Sequence, residues 1–279
     1  MAIPKSIAAL LASFCAPAAA ADTGSATLTV QRLAQETPVA SQAIPTSVVS
    51  LGRHKFRLPM NLFEGQNGSN PRGLAFDLAW PWPGLRPLPM GVNYHDDMTL
   101  FVSTVVASID HVDKIDDDDY AMLLQKQIQP RSENPKLRAD PRTNLHMRIK
   151  GGPVFGLTPY YVDFDRLAKY VHDLYGPDSP AGDPESSMNE DWYIRFDENG
   201  KPLTLISCTS TQIPNGTRIE NGHIVDTPVN GRRAICGHMF LIPEYKVWVN
   251  VRYQRVMMYD WKRVEDLVIE TLRRAQVAQ

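Results

Sequence analysis

Apolar and polar residues alternate over several short stretches of the chain, which is the pattern of β-strands that bury one face. Residues 74–80 (LAFDLAW) show this alternation most clearly. Residues 99–109 are rich in β-branched side chains and predict a central strand. Near the C-terminus, residues 233–242 and 246–257 predict two long strands. Most of the folded region is therefore expected to be β-sheet.

Turn sequences indicate how such strands pair. Gly52-Arg53-His54 separates two strand-like stretches, residues 47–51 and 55–58. Asn199-Gly200 is a strong hairpin signal between two further alternating stretches. Strands joined by such short turns pair antiparallel, so the sequence predicts a mostly antiparallel sheet.

Two stretches instead repeat apolar residues at the helical period of 3.6. Residues 163–175 end at Gly176, and residues 261–274 follow Asp260, which is predicted to cap the helix. The predicted inward faces are Phe164, Leu167, Ala168, Val171 and Leu174 in the first, and Val264, Leu267, Val268, Thr271 and Leu272 in the second. These two amphipathic helices predict an α+β fold, and their positions suggest a duplicated strand–strand–helix unit.

Composition divides the chain into segments. Residues 22–47 are rich in small and polar residues and are expected to form a flexible leader. Residues 48–279 are expected to form the globular region. A stretch rich in Pro, Gly and Ser near residues 177–188 separates two possible halves, residues 48–176 and 189–279.

The first 21 residues have the three parts of a cleavable signal peptide. Lys5 supplies the positive charge, residues 7–14 form a short apolar region, and the alanines at 18–21 offer a cleavage site before Asp22. A buried N-terminal helix is the alternative interpretation. The signal peptide predicts that the mature protein works in the periplasm.

Membrane attachment is not expected. Cys15 raises the alternative of a lipid anchor, but Phe14 stands where the lipidation motif needs a small residue. No later stretch approaches the roughly 20 apolar residues that a membrane-spanning helix requires. We therefore expect no stable membrane insertion of the mature chain.

Charge and composition exclude one class of partner. The chain is 43% hydrophobic and 22% charged, as is ordinary for a globular protein, and its formal net charge is −2. A protein with so little net charge lacks the electrostatic attraction that drives binding to nucleic acid. No nucleic-acid partner is expected.

Two of the three cysteines, Cys208 and Cys236, lie in the predicted mature chain. An even pair of cysteines in an oxidising compartment favours a disulfide. Two buried free thiols are the alternative, and a metal site is disfavoured because neither cysteine belongs to a C-x-x-C unit.

Motifs for catalysis are absent from the sequence, including nucleophile elbows, zinc-binding helices and phosphate-binding loops. His95 precedes two aspartates, and His172-Asp173 lies in a predicted helix, but a solvated surface position explains both. The sequence thus predicts no catalytic residue, no metal site and no cofactor. The alternative is a periplasmic hydrolase with His95 or His238 at its centre.

Two features suit contact with another protein. Trp80 ends an alternating stretch, and Trp82 follows it beside a proline-rich loop. In these positions the two side chains could serve as interface anchors or fill the core. The acidic run consists of Asp116, Asp117, Asp118 and Asp119. It could dock a basic partner, hold Ca²⁺ or form a solvated loop. We predict that both features contact a partner.

Several short motifs resemble those of a known group of proteins. Residues 56–61 (FRLPMN) and 74–85 (LAFDLAWPWPGL) form the N-terminal part of this resemblance. Cys208, residues 236–240 (CGHMF) and residues 253–261 (YQRVMMYDW) form the C-terminal part. Together they are similar to exported proteobacterial proteins associated with type VI secretion, including immunity proteins for phospholipase effectors.

The resemblance spans about residues 50–275 and implies a function without implying catalytic residues. It implies a periplasmic protein that binds an incoming lipase-like effector and neutralises it by protein–protein contact. An envelope assembly or structural factor is a third interpretation, beside the hydrolase.

Overall fold

The fold is described here from a computed structural model. It describes residues 43–68, 74–176, 179, 183–186 and 188–278. The predicted signal peptide and most of the leader lie outside the described residues.

Most of the described secondary structure is β-strand. The strands are β1 (Thr46–Leu51), β2 (His54–Pro59), β3 (Ala75–Pro81), β4 (Thr104–His111), β5 (Ile149–Lys150), β6 (Thr158–Tyr161), β7 (Glu190–Phe196), β8 (Pro202–Thr209), β9 (Thr217–Glu220), β10 (His223–Asp226), β11 (Ile235–Ile242) and β12 (Val247–Gln254).

The described helices are few and mostly short. They are α1 (Met98–Ser103), α2 (Asp117–Ala121), α3 (Leu123–Gln127), α4 (Pro135–Arg138), α5 (Phe164–Tyr175) and α6 (Trp261–Ala275). A 3-10 helix, Arg255–Asp260, leads directly into α6. The α+β class with a large antiparallel sheet is thus confirmed.

One eight-stranded antiparallel sheet organises the fold, in the order β3-β4-β12-β11-β8-β7-β6-β5. β1–β2 and β9–β10 form two separate hairpins. The two predicted halves of the chain share the large sheet. Its central four strands come from the second half, and the first half supplies the strands at both edges.

The inner face of the sheet, which α6 covers, carries the main hydrophobic core. Ile206, Phe240, Val249 and Val251 alternate along three central strands and are almost completely buried there. They pack with Leu272 and other apolar residues of α6. Each such side chain contributes about 1.5–3 kcal/mol by leaving water, so this layer is the main source of stability.

The outer face of the sheet is covered in two separate places. At one, Leu124 of α3 packs on Leu205 and Trp248. At the other, Tyr94 packs on Ala79 and Val106. The part of the outer face between these two coverings carries polar side chains.

The predicted strand over residues 99–109 is wrong in its first half, because Met98–Ser103 is helical and the strand begins at Thr104. The side chain of Asp97 accepts hydrogen bonds from the backbone N–H groups of Thr99 and Leu100, which starts a helix despite the β-branched composition.

Both amphipathic helices are confirmed, with one correction at a cap. Asp163 caps α5 as a side-chain acceptor for the N–H of Arg166. Asp260 makes no side-chain capping bond to α6, because its carboxylate accepts from the Trp82 indole instead. The buried residues of α6 are Trp261, Val264, Glu265, Val268 and Leu272.

The predicted disulfide between Cys208 and Cys236 is present, with an S–S distance of 1.96 Å. The two cysteines lie directly opposite each other in the β8–β11 ladder. Both are buried in the main core. The bond therefore clamps the two central strands that α6 covers.

We expect removal of this disulfide to destabilise the protein by about 3–4 kcal/mol, because the bond closes a loop with a sequence separation of 28 residues. The double variant Cys208→Ala/Cys236→Ala tests this in urea denaturation. The oxidised wild type is the reference, and an unchanged free energy of unfolding would contradict a stabilising role.

Candidate partner-binding surface and the buried polar cluster

Trp80 and Trp82 lie in the core, with only 2% and 6% of their surfaces exposed. The structure therefore shows the core-filling role that the sequence left open for both residues. A direct contact between either ring and a partner stays a prediction.

The Trp82 indole links the proline-rich loop to the start of α6. It donates a hydrogen bond to Asp260 Oδ2 at 3.0 Å. Arg263 donates to the same carboxylate and to the Pro83 carbonyl, at 3.0 and 2.8 Å. These bonds fix residues 82–83 to the helix, so the surface above them is rigid.

Above Trp82 lie two exposed aromatic rings, Tyr259 and Phe155, which we call the aromatic ridge. Tyr259 is 45% exposed and Phe155 is 55% exposed. The Tyr259 ring lies edge-on to the Trp82 ring, with 6.2 Å between the ring centroids. The centroids of the Tyr259 and Phe155 rings are 6.3 Å apart. The ridge shows that Trp82 supports an exposed aromatic surface without forming it.

The backbone of Phe155 is held in an unusual conformation. Its φ angle is +52°, which is uncommon for a bulky residue. The indole N–H of Trp261 donates to the Phe155 carbonyl at 2.9 Å and fixes this turn to α6. Strained residues that the surrounding structure holds in place are frequent at binding sites.

The acidic run Asp116–Asp119 is exposed and surrounds the start of α2. Asp116 caps this helix by accepting from the N–H of Asp119. Asp119 pairs with Lys126 at 2.6 Å, and Asp117 pairs with Lys246 at 3.2 Å. Such exposed pairs add little stability, so the run is free to engage a partner.

No group of three or more His, Cys, Asp or Glu side chains that could hold a metal ion occurs in the described part of the chain. Nor is any helix among these residues long and apolar enough to cross a bilayer.

The two histidines predicted as weak candidates are both exposed, and the carboxylate that His95 meets is Glu64 instead of the two aspartates that follow it in the sequence. His172 lies 3.5 Å from Asp173 on the surface of α5. His95 lies 3.8 Å from Glu64, whose carboxylate accepts a hydrogen bond from the Tyr94 hydroxyl. His95, Glu64 and Asp77 line an open cavity of about 740 Å³. With half of the His95 side chain exposed, water competes for any proton transfer there.

A cluster of polar side chains is instead buried between α6 and the inner face. Glu265 of α6 accepts from the Thr204 hydroxyl at 2.8 Å and from Arg195 Nη2 at 3.0 Å. His238 Nε2 lies 3.3 Å from the same carboxylate. The side chains of His238 and Glu265 are 0% and 5% exposed. No substrate can reach this histidine, so His238 is not the centre of a hydrolase site.

The protonation of this cluster follows from its burial. Desolvation lowers the pKa of His238 below its usual 6.5, although Glu265 opposes the shift. Burial alone would raise the pKa of Glu265, but His238, the Thr204 hydroxyl and Arg195 hold it below its usual range. A neutral His238 can donate from Nε2 to the carboxylate and leave Nδ1, which has no partner, as an acceptor.

Sequence reasoning did not identify this cluster, although one signal was present. Glu265 lies four residues after Trp261 and beside Val264, on the apolar side of the helical pattern. A carboxylate at such a position requires a buried partner. The sequence could not show that Arg195 and Thr204 would supply it, because they lie on other strands.

We expect Glu265→Ala to destabilise the protein by about 1–3 kcal/mol, because it leaves the buried Thr204 hydroxyl and His238 without this acceptor, while Arg195 stays about one-third exposed to water. Urea denaturation measures this loss. The control is Asp266→Asn, which removes only an exposed pair with Lys262 and should cost less than about 1 kcal/mol. Equal losses in the two variants would contradict a central role for Glu265.

We also expect stability to fall as the pH drops below about 6.5, because the unfolded chain then binds a proton at His238 that the folded chain excludes. The contribution of the neutral His238 to the free energy of unfolding is fully present above pH 6.5. Below pH 6.5 it decreases by at most about 1.4 kcal/mol per pH unit. NMR titration of the individual histidines tests the cause. The His238 ring signal should titrate below pH 6.5, and titration at or above 6.5 would contradict this origin.

Comparisons with known proteins give one informative likeness. No protein-family model matches the sequence, and no curated protein matches it. A solved structure, Smlt3025, an immunity protein of the Stenotrophomonas maltophilia type IV secretion system, has a similar fold with a TM-score of 0.73. The two sequences are 27% identical, and the match covers 84% of this chain and 94% of the other. The likeness thus extends over nearly all of that immunity protein.

Proposed function

We propose that this protein is an immunity protein, which binds a secreted toxic effector and neutralises it by protein–protein contact. The similarity to the Stenotrophomonas maltophilia immunity protein over 84% of this chain carries the proposal. The role is inhibitory and non-enzymatic. The predicted signal peptide places this encounter in the periplasm.

The finer form of the proposal names a phospholipase as the effector and type VI secretion as its route. This form is supported by the sequence motifs alone. The similar structure comes from a type IV system, so the fold itself favours neither delivery route. The neutralising role is common to both.

The architecture suits an inhibitor. A protein that inhibits by contact needs a preformed surface, since ordering that surface on binding would cost affinity. The eight-stranded sheet, the disulfide and the buried cluster at Glu265 provide such a rigid body. The acidic run Asp116–Asp119 adds an exposed charge that would speed association with a basic effector surface.

We expect the protein to rescue bacteria from its effector. The test co-expresses the mature chain, residues 22–279, in the periplasm with each exported toxin found encoded near its gene and, separately, with a phospholipase toxin. Growth should recover with one toxin, and the purified pair should form a stoichiometric complex in which the toxin's activity falls. Failure to rescue from or bind any of these toxins would contradict the immunity role.

The acidic run can be tested with the same complex. Replacing Asp117, Asp118 and Asp119 by asparagine should lower the association rate by roughly tenfold at low salt, with a smaller effect at high salt. Asp116 is kept because it caps α2. An unchanged association rate would remove the run from the interface without affecting the immunity role.

A further inference from the structure

The outer face of the sheet carries a row of polar side chains between its two apolar coverings. Asp77, Ser108 and Asn250 lie directly opposite one another on β3, β4 and β12. Asp110 and Arg252 lie two residues from this row on the same face. We call these five residues the open strip.

The open strip lacks the hydrogen bonds that polar groups on a sheet normally make. Within the described residues, no side-chain hydrogen bond or ion pair engages any of its members. Asp77 and Arg252 are exposed, and the other three are half-buried. Asn250 Oδ1 is fully buried and has no partner. A buried acceptor without a donor costs free energy, so the polar groups of the open strip are incompletely satisfied in the free protein.

The two carboxylates of the open strip repel each other. Burial raises the pKa of Asp110, and the negative charge of Asp77 raises it further. The ionised pair therefore lowers the stability of the free protein at neutral pH. Arg252 does not form a salt bridge with either carboxylate, so a cation from another molecule could relieve the repulsion.

Three of the five members of the open strip, Asp77, Ser108 and Asp110, belong to the most acidic segment of the chain. Residues 64–119 contain ten acidic residues against three lysines and arginines, whereas the formal net charge of the whole chain is −2. The acidic run Asp116–Asp119 belongs to the same segment. The helix α3 follows α2 directly, and its Leu124 packs on Trp248. Trp248 in turn lies opposite Asp110 of the open strip. Acidic charge thus reaches from the open strip toward the start of α2.

We propose that the open strip is the docking surface for a cationic surface of the effector. A lysine or arginine of the effector binds between Asp77 and Asp110. This inference rests on the proposed immunity role and adds the binding face and the charge of the partner. Complementary charge is the reason for choosing a basic protein as the occupant.

The open strip has an aromatic neighbour as well as charges. From β3 to β12 it extends about 10 Å, at roughly 4.8 Å per strand. The half-buried Trp248 flanks Asp110 and offers an aromatic contact beside the charges. A divalent cation is disfavoured, because no described group of three or more carboxylate, histidine or cysteine side chains is arranged to hold one.

The test measures the affinity of the effector that the wild-type protein neutralises in the growth assay. The variant Asp77→Asn/Asp110→Asn should bind it roughly 10- to 100-fold more weakly, and its affinity should depend less on salt from about 50 to about 500 mM NaCl. Its melting temperature should equal or exceed that of the wild type, because the repulsion is gone. A purely structural role for these aspartates would lower that temperature.

A matched control removes two negative charges elsewhere. Asp165 and Glu198 are exposed, on α5 and in the β7–β8 turn, away from β3 and β4. The variant Asp165→Asn/Glu198→Gln should keep wild-type affinity. If both double variants bind like the wild type, the open strip is not the interface, although immunity stands.

Two further outcomes would overturn the inference. An equal loss of affinity in both double variants would show a general effect of net charge. Binding abolished by a chelator and restored by Ca²⁺ would identify a metal as the occupant. If the wild type neutralises no effector, the proposed function and the docking surface fail together.

Discussion

The structure depends on the burial of one carboxylate in an otherwise apolar interface. Glu265 of α6 faces the inner side of the sheet, where a charge without partners would cost several kcal/mol. Arg195, Thr204 and His238 meet this carboxylate from three adjacent strands. These three contacts fix the register of α6 on the sheet in this structure. Apolar contacts supply most of the stability.

The fixed position of α6 determines which surfaces the protein offers to a partner. The start of this helix holds the turn at Phe155 and the loop at Pro83 through hydrogen bonds from Trp261 and Arg263. The aromatic ridge is thereby ordered before any partner arrives. The outer face of the sheet lies on the opposite side, where α1 and α3 leave the open strip exposed. An inhibitor gains affinity from such preformed surfaces.

Charge is distributed unevenly over this rigid body. Among the described residues, neither Asp77 nor Asp110 of the open strip forms an ion pair, and Asn250 Oδ1 has no donor. Natural proteins tolerate such local costs where binding requires them. The disulfide and the inner-face core supply stability that can offset the cost. In the proposed binding mode, stability and recognition belong to opposite faces of one sheet.

The sequence by itself determined the local elements, because alternation, helical periodicity and turn residues act over a few positions. It gave the fold class, the helices α5 and α6, and the cysteine pair, while capping by Asp97 overrode the β-branched composition at α1. Only the tertiary structure decided which residues meet. It buried Trp82 beneath Tyr259 and placed Asp77 beside Asp110. It also paired Glu265 with Thr204 and Arg195, which lie 61 and 70 residues away in the sequence. These contacts follow from the strand order of the sheet, which no local pattern encodes.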